Sequence, residues 1–312
     1  MPHDHSHHHH APTGEGAMAW AVAINVLLTF AQVAGGLVAG SVALIADGVH
    51  NFSDAAALVL AFGARRLARR AASASMSFGW SRAEVVAALV NYVALILIAL
   101  WLMVEAAGRL ADPPAVQGGI VIWLALLALV IDLGTAGLTW RLSRESLNIR
   151  AAFLHNLADA GASVAVIAGG VAIALWDLRV IDPVLTIGIS IFILWHVAGD
   201  LRPILRILML GAPEGPAPEA VAARLAAHPG VEGVHHLHLF QLDEGRSVLS
   251  AHLVIAEGQD FAAVIAGAKA MLAADFDLMH ATLEPETAAQ GCADRADCLA
   301  KAPAGHGHAH VH

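Results

Sequence analysis

Charge is what this chain has least of: 14% of its 312 residues are Asp, Glu, Lys or Arg, where soluble domains carry about 25%. Basic residues are outnumbered by acidic ones, 17 to 26, so the cationic footprint of a nucleic-acid binder is missing. Cysteine is scarce. Cys292 and Cys298 both lie in the polar C-terminal stretch, which excludes a disulfide scaffold and is compatible with a reducing compartment. No GxxxxGK[ST] phosphate loop occurs, so no nucleotide partner is expected and ATP-driven work by this chain has no support. HExxH is absent as well, as is any nucleophile–base motif; an intramembrane zinc protease is excluded and the chain does not read as an enzyme. The opening MPHDHSHHHH lacks the basic n-region of a secretory signal.

What the chain has instead is apolar length and histidine. Apolar residues make up 58% of it and its mean hydropathy is +0.66, which argues against both a disordered chain and an all-soluble protein. Six stretches reach the roughly 20 apolar residues that a spanning helix needs: 17–39, 43–64, 83–107, 116–139, 151–174 and 183–200. The first two are separated by a break at Gly40 and Ser41. Arg65, Arg66, Arg69, Arg70, Arg82, Arg141, Arg144, Arg150, Arg202 and Arg206 fall on one side of these spans, against Arg109 and Arg179 on the other. That bias places both termini in the cytoplasm. Trp20, Trp101, Trp123, Trp140, Trp176 and Trp195 sit near span ends, as interfacial anchors do.

Composition changes near Gly211, where APEGPAPEA forms a linker. The pattern beyond it predicts helix over 217–228, strands over 231–241 and 246–256, helix over 260–274 and strand over 277–286. This αββαβ order is that of a small α+β domain with helices on one face of a sheet. The chain therefore divides into a His-rich tail (1–16), a six-helix transmembrane domain (17–210), a cytoplasmic domain (211–286) and a polar Cys/His-containing tail (287–312). Of the 19 histidines, ten lie in the two tails. Asp4 and Ser6 interrupt the first His run, and His306, His308, His310 and His312 form a second one; both read as native metal-gathering segments.

The informative residues are those for which membrane burial is costly, roughly 2.5–3.5 kcal/mol for an Asp at mid-helix. Span two contains His50-Asn51-Phe52-Ser53-Asp54, and span five contains His155-Asn156-Leu157-Ala158-Asp159. In each, the i,i+4 spacing puts His and Asp on one helix face. Two such faces turned together supply two nitrogens and two carboxylate oxygens, a set that tetrahedral Zn²⁺ accepts and that harder ions favour less. The pairs sit at depths summing to roughly 22–24 Å of an approximately 30 Å core, short by about one helical turn. A plain His–Asp hydrogen bond between packed helices, or a proton relay, is the competing reading.

Both ligand types titrate, and a metal binds only to their deprotonated forms. With no nucleotide motif, exchange of metal for protons is the expected mechanism. Co²⁺, Cd²⁺, Ni²⁺, Fe²⁺ and Mn²⁺ remain alternative cargoes, because mixed N/O sites rank metals mainly by intrinsic affinity. A membrane-anchored metal sensor is the alternative of a different class.

Beyond the two pairs, SVALIADGVHNFSDAAALVL, FGWSRAEVVAALVN, AFLHNLADAGASVAVIAGG, IDPVLTIGISIFIL, LMLGAPEG, GVEGVHHLHLFQL and LSAHLVI resemble segments of the cation diffusion facilitator family of divalent-metal transporters. The resemblance covers roughly residues 17–286. It implies a homodimer of Y shape in a lipid bilayer, a bacterial cytoplasmic (inner) membrane, with six spans and a ferredoxin-like cytoplasmic domain in each protomer. It assigns His50, Asp54, His155 and Asp159 to the transport site, in the version associated with zinc and tolerant of cadmium or cobalt. It further implies a cytoplasmic metal site at the dimer interface from His235, His252 and His280, and regulation by metal drawing two protomers together. Cys292 and Cys298 are weaker candidate thiolate ligands. Strand alternation puts His236 and His238 on the face opposite His235. A second site between spans two and three, present in some members, is expected to be absent, because ARRAASASMSFGW has no His, Asp or Glu. Asp47, Asn25, Asn91 and Asp132 are candidates for supporting or pathway roles, with interhelical hydrogen bonding the simpler account. His196 and His228 read as structural.

Overall fold

The computed structural model describes residues 13–140 and 147–289. Six long helices come first: α1 (Thr13–Ala39), α2 (Val42–Ala68), α3 (Ala83–Arg109), α4 (Gly118–Trp140), α5 (Leu147–Trp176) and α6 (Ile181–Leu208). Helices α2 to α6 are each long and apolar enough to cross a bilayer, and α1 carries the apolar run Ala23–Ala39. Large apolar side chains such as Leu27, Val104, Trp123 and Trp195 stand exposed on their outer surfaces, where lipid replaces water as solvent. The seams between helices use smaller residues. Ala39, Leu44, Val121, Ala125 and Val166 join α1, α2, α4 and α5, and Leu95 and Ala99 of α3 meet Ile193 and Val197 of α6.

The chain forms two compact units. One holds the chain up to Arg66 together with Ala87–Leu201; the other holds Leu67–Val86 and the chain from Arg202 onward. The loop between α2 and α3 thus belongs with the C-terminal sheet. Arg82 ties it there, donating from Nε to the Leu242 carbonyl (3.1 Å) and from Nη2 to the Gln241 carbonyl (3.3 Å).

The break between the first two helices has a definite chemistry. Gly40 adopts φ +73°, where a Cβ would come within 2.9 Å of the Ala115 carbonyl oxygen. Ser41 then caps α2, its Oγ accepting from Leu44 N at 3.1 Å. Asp182, at the start of α6, completes the cap across 140 residues of sequence: its carboxylate accepts from Ser41 Oγ (2.5 Å), Val42 N (2.9 Å) and Ala43 N (3.4 Å). This satisfies first-turn N–H groups that have no intrahelical partner. Asp182→Ala is expected to destabilise the protein by about 1–3 kcal/mol, because buried donors are left unpaired. A lowered melting temperature in detergent checks this, and Asp182→Asn should lose less.

The C-terminal unit runs α7 (Pro218–Ala226), β1 (Val231–Gln241), β2 (Ser247–Ile255), α8 (Phe261–Phe276) and β3 (His280–Glu286). The sheet order is β1-β2-β3, with β1 and β2 antiparallel and β2 and β3 parallel. The parallel pair needs a crossover, and α8 supplies it. Val221 and Leu225 of α7 and Val264, Ala268 and Leu272 of α8 pack with Leu237, Leu239, Leu249, Leu253 and Leu283 of the strands in one core. Strand β1 departs from simple alternation. His235 pairs with His252 and His238 with Ser250, so three steps on β1 face two on β2, and His236 takes φ +49°. This is a β-bulge, which re-aims side chains locally. His236 is therefore not opposite His235: its ring centroid lies 5.6 Å from that of His235 and 5.1 Å from that of His252.

Candidate metal centre

The two HxxxD faces meet inside the helical unit. His50 and Asp159 are almost fully buried, at 7% and 6% exposure, while Asp54 and His155 are half-buried. The contacts cross between helices. His50 Nε2 lies 3.2 Å from Asp159 Oδ1, and His155 Nε2 lies 3.1 Å from Asp54 Oδ2. Within each helix, His155 Nε2 is 3.4 Å from Asp159 Oδ2 and His50 Nε2 is 4.0 Å from Asp54 Oδ2. Metal–ligand bonds of about 2.0–2.1 Å at tetrahedral angles require ligand atoms about 3.3 Å apart. The histidine–aspartate distances of 3.1–4.0 Å bracket that spacing with both Asp159 oxygens in use, and one ligand atom from each of the four residues lies within 4.8 Å of the others.

The pairs are centred near residues 52 and 157, each ten residues into α2 and α5, which start at Val42 and Leu147. Arg150 lies in the first turn of α5, so the helix start does not mark the edge of the hydrocarbon, and the one-turn shortfall of the sequence estimate stands.

The neighbouring polar residues fall into hydrogen-bonded groups. Asp47, 3% exposed, accepts from Gln32 Nε2 at 2.6 Å, and Gln32 Oε1 accepts from Asn51 Nδ2 at 3.0 Å. Asp132 is buried and accepts from Ser163 Oγ at 3.4 Å. Asn91 donates to Ser53 Oγ at 3.1 Å. Asn25 Oδ1 has no hydrogen-bond partner among the described residues. None of these four joins the ligand cluster. Gln32 and Asp182 are among the polar residues that sequence reasoning missed in this unit. Ser41 beside a helix start was the available signal for the cap that Asp182 completes.

A second group of potential ligands forms in the C-terminal unit. His235, His252 and Glu286 bring ligand atoms within 4.8 Å of one another. Glu286 Oε1 is 2.7 Å from His252 Nδ1, and Oε2 is 3.0 Å from His235 Nε2. His235 Nε2 is buried and not aligned for a hydrogen bond in spite of that distance. Glu284 Oε2 lies 3.5 Å from His252 Nε2. His280 is elsewhere. It pairs with Val248 while His252 pairs with Glu284, a displacement of four residues or about 13 Å along the strand. Its ring is exposed and stands edge-on to Phe78, with centroids 5.8 Å apart. Glu286 takes the position expected of His280, and the signal for it was an acidic residue in the strand paired with a histidine strand. His238 is exposed. Cys292, Cys298 and the His-rich stretches 1–12 and 306–312 lie outside the described residues.

Residues 18–209, which include both HxxxD pairs, match the Cation efflux transmembrane domain. The chain belongs to the cation diffusion facilitator family of divalent-metal transporters. Over 308 residues it is 32% identical to the metal cation efflux system protein CzcD of Cupriavidus metallidurans, covering 97% of this chain and 94% of that protein. It is 34% identical over 268 residues to the zinc transporter ZitB of Pectobacterium atrosepticum, with coverage of 85% and 83%. The cadmium, cobalt and zinc/H(+)-K(+) antiporter of Bacillus subtilis is 31% identical over 229 residues, with coverage of 72% and 73%. This transporter is thus an integral membrane protein of a metal cation efflux family, a transporter class and not an enzyme class.

Proposed function

We propose that this transporter exports Zn²⁺ from the cytoplasm in exchange for protons, with His50, Asp54, His155 and Asp159 holding the ion in transit. The observation that carries this reading is the cross-paired cluster of these four side chains, whose ligand atoms lie within 4.8 Å of one another. Two carboxylates balance the charge of a divalent cation, which offsets much of the cost of holding it in a low-dielectric interior. Both pairs lie within helices long and apolar enough to span a bilayer, where a carrier site belongs. Protons compete with metal for the same imidazoles and carboxylates, so one site serves both ions in turn. Relatives named for zinc, and for cadmium, cobalt and zinc with protons, support the choice of cargo and counter-ion. Cd²⁺ and Co²⁺ are expected to follow Zn²⁺, Fe²⁺ and Mn²⁺ to be poorer by intrinsic affinity, Ni²⁺ to be poorer because it favours square-planar over tetrahedral ligands, and Mg²⁺ to be excluded.

The arginine bias puts both termini and the sheet domain in the cytoplasm, and the bacterial relatives support a cytoplasmic (inner) membrane. A homodimer is the assembly expected of the family. A membrane-anchored sensor would use only the cytoplasmic cluster and leaves the intramembrane cluster without a role. The test is uptake by proteoliposomes of a panel of divalent ions, with a pH dye read at the same time. Metal transport without opposite proton movement would refute the exchange.

His235, His252 and Glu286 are proposed as the ligands of a cytoplasmic metal ion. Glu286→Ala is expected to remove one tightly held Zn²⁺ per chain in chelator competition on the detergent-purified protein, and His280→Ala to remove none. Equal losses in both variants would restore His280 to the set.

A further inference from the structure

A third histidine–aspartate pair with the same spacing lies on α6. His196 and Asp200 stand four residues apart, as do His50 and Asp54 on α2 and His155 and Asp159 on α5. His196 Nε2 is 3.5 Å from Asp200 Oδ2. The same carboxylate oxygen accepts from the Tyr92 hydroxyl of α3 at 3.3 Å, which orients it as supporting partners orient ligating carboxylates.

The Tyr92 bond links Asp200 to α3, but the His196–Asp200 contact lies within one helix and joins no two elements. Their side chains keep 48% and 43% of their surface open, whereas a packing bond would be buried. The opening faces a cavity of about 190 Å³ whose wall also carries His50, Asp54 and His155. The His196 ring lies 6.3 Å from the His155 ring, nearly parallel to it at 22°. At about 30 Å³ per water the cavity holds a cation with a partial hydration shell. Asp200 is two residues from Arg202 on the arginine-bearing end of α6, and His196 lies one turn deeper. The order along the wall is therefore Asp200, His196, then His155 with Asp54.

We propose that His196 and Asp200 form a second, transient binding station for the divalent metal cargo, loading the ion from the arginine-bearing face and passing it to His155 and Asp54. The proposal rests on the reading of His50, Asp54, His155 and Asp159 as the transport site. Two protein ligands completed by water hold a metal more weakly than four, so the ion arrives readily and leaves for the deeper site. A carboxylate in a low-dielectric funnel also concentrates cations locally and raises their arrival rate. Losing the station therefore acts on capture before it acts on turnover.

The test is initial-rate uptake by proteoliposomes of the full chain, over a range of Zn²⁺ and of Cd²⁺. His196→Ala and Asp200→Asn are expected to raise KM about five- to tenfold, with the larger part of the effect on KM rather than kcat. His196→Cys is expected to recover the low KM for Cd²⁺ more than for Zn²⁺, since a thiolate favours the softer ion. A merely structural histidine produces no such metal-dependent rescue. Unchanged KM in both loss variants overturns the proposal, as does a His196→Cys protein impaired equally for both metals. If His196→Ala fails to elute as a folded species, Asp200→Asn and His196→Cys decide. Asp159→Ala separates the two readings: continued transport in that variant refutes the transport site itself. An inactive Asp159→Ala beside normal KM in the α6 variants refutes only the loading station.

Discussion

Proteoliposomes carrying Asp159→Ala are expected to take up Zn²⁺ at no more than about a hundredth of the unaltered rate. The size of the effect follows from where this carboxylate sits. It is 6% exposed and approaches both histidines, His50 at 3.2 Å and His155 at 3.4 Å. Removing it deletes one of four ligands and leaves a divalent ion facing a single negative charge away from water. Breaking one partner out of a buried ionic set costs about 3–5 kcal/mol, and about 2.8 kcal/mol is already a hundredfold. Asp54 is more open, with 37% of its side chain exposed against 8% for Asp159, so water can replace part of what it provides. Asp54→Ala is therefore expected to retain more activity than Asp159→Ala. The reverse order would mean that Asp54 is the principal anion of the site.

The second large effect is on the driving force. If the exchange is with protons, a vesicle lumen about one pH unit more acidic than the bath is expected to raise steady-state Zn²⁺ accumulation about tenfold for each proton exchanged per ion, since one pH unit is about 1.4 kcal/mol. The sign follows from competition at the ligands. On the acidic side protons occupy imidazole and carboxylate and expel the metal; on the alkaline side the ligands are free to bind it. Metal therefore accumulates where protons are abundant, and collapsing the gradient with nigericin returns the lumen to the bath concentration. Uphill accumulation that survives nigericin would exclude proton exchange as its source of energy.

How much was legible beforehand differs between the two metal clusters. His50, Asp54, His155 and Asp159 are legible because a helix turns every 3.6 residues, so i,i+4 spacing alone puts each pair on one face. The cost of those groups in a membrane makes them conspicuous. Five of the six spans are legible for a similar reason: helices α2 to α6 satisfy their backbone internally, and apolar length alone marks them. The cluster on the sheet is different. Its members come from β1, β2 and β3, and register decides who meets whom. One bulge at His236 turns that ring toward His252, and a four-residue offset takes His280 away while Glu286 arrives. A local pattern does not contain a pairing offset, because strands bond to partners distant in sequence.

The same division runs through the helical unit. Sequence by itself determined the helices, the two ligand pairs and the sign of the charge at each membrane face, all properties of short stretches of chain. Only the tertiary structure decided that each histidine faces the aspartate of the other helix, that Asp182 caps α2 from the start of α6, and that His196 and Asp200 line the same cavity as His50, Asp54 and His155. Those facts depend on helix rotation and packing. Rotation is set by the fit of small residues at the seams between helices, not by periodicity within any one of them.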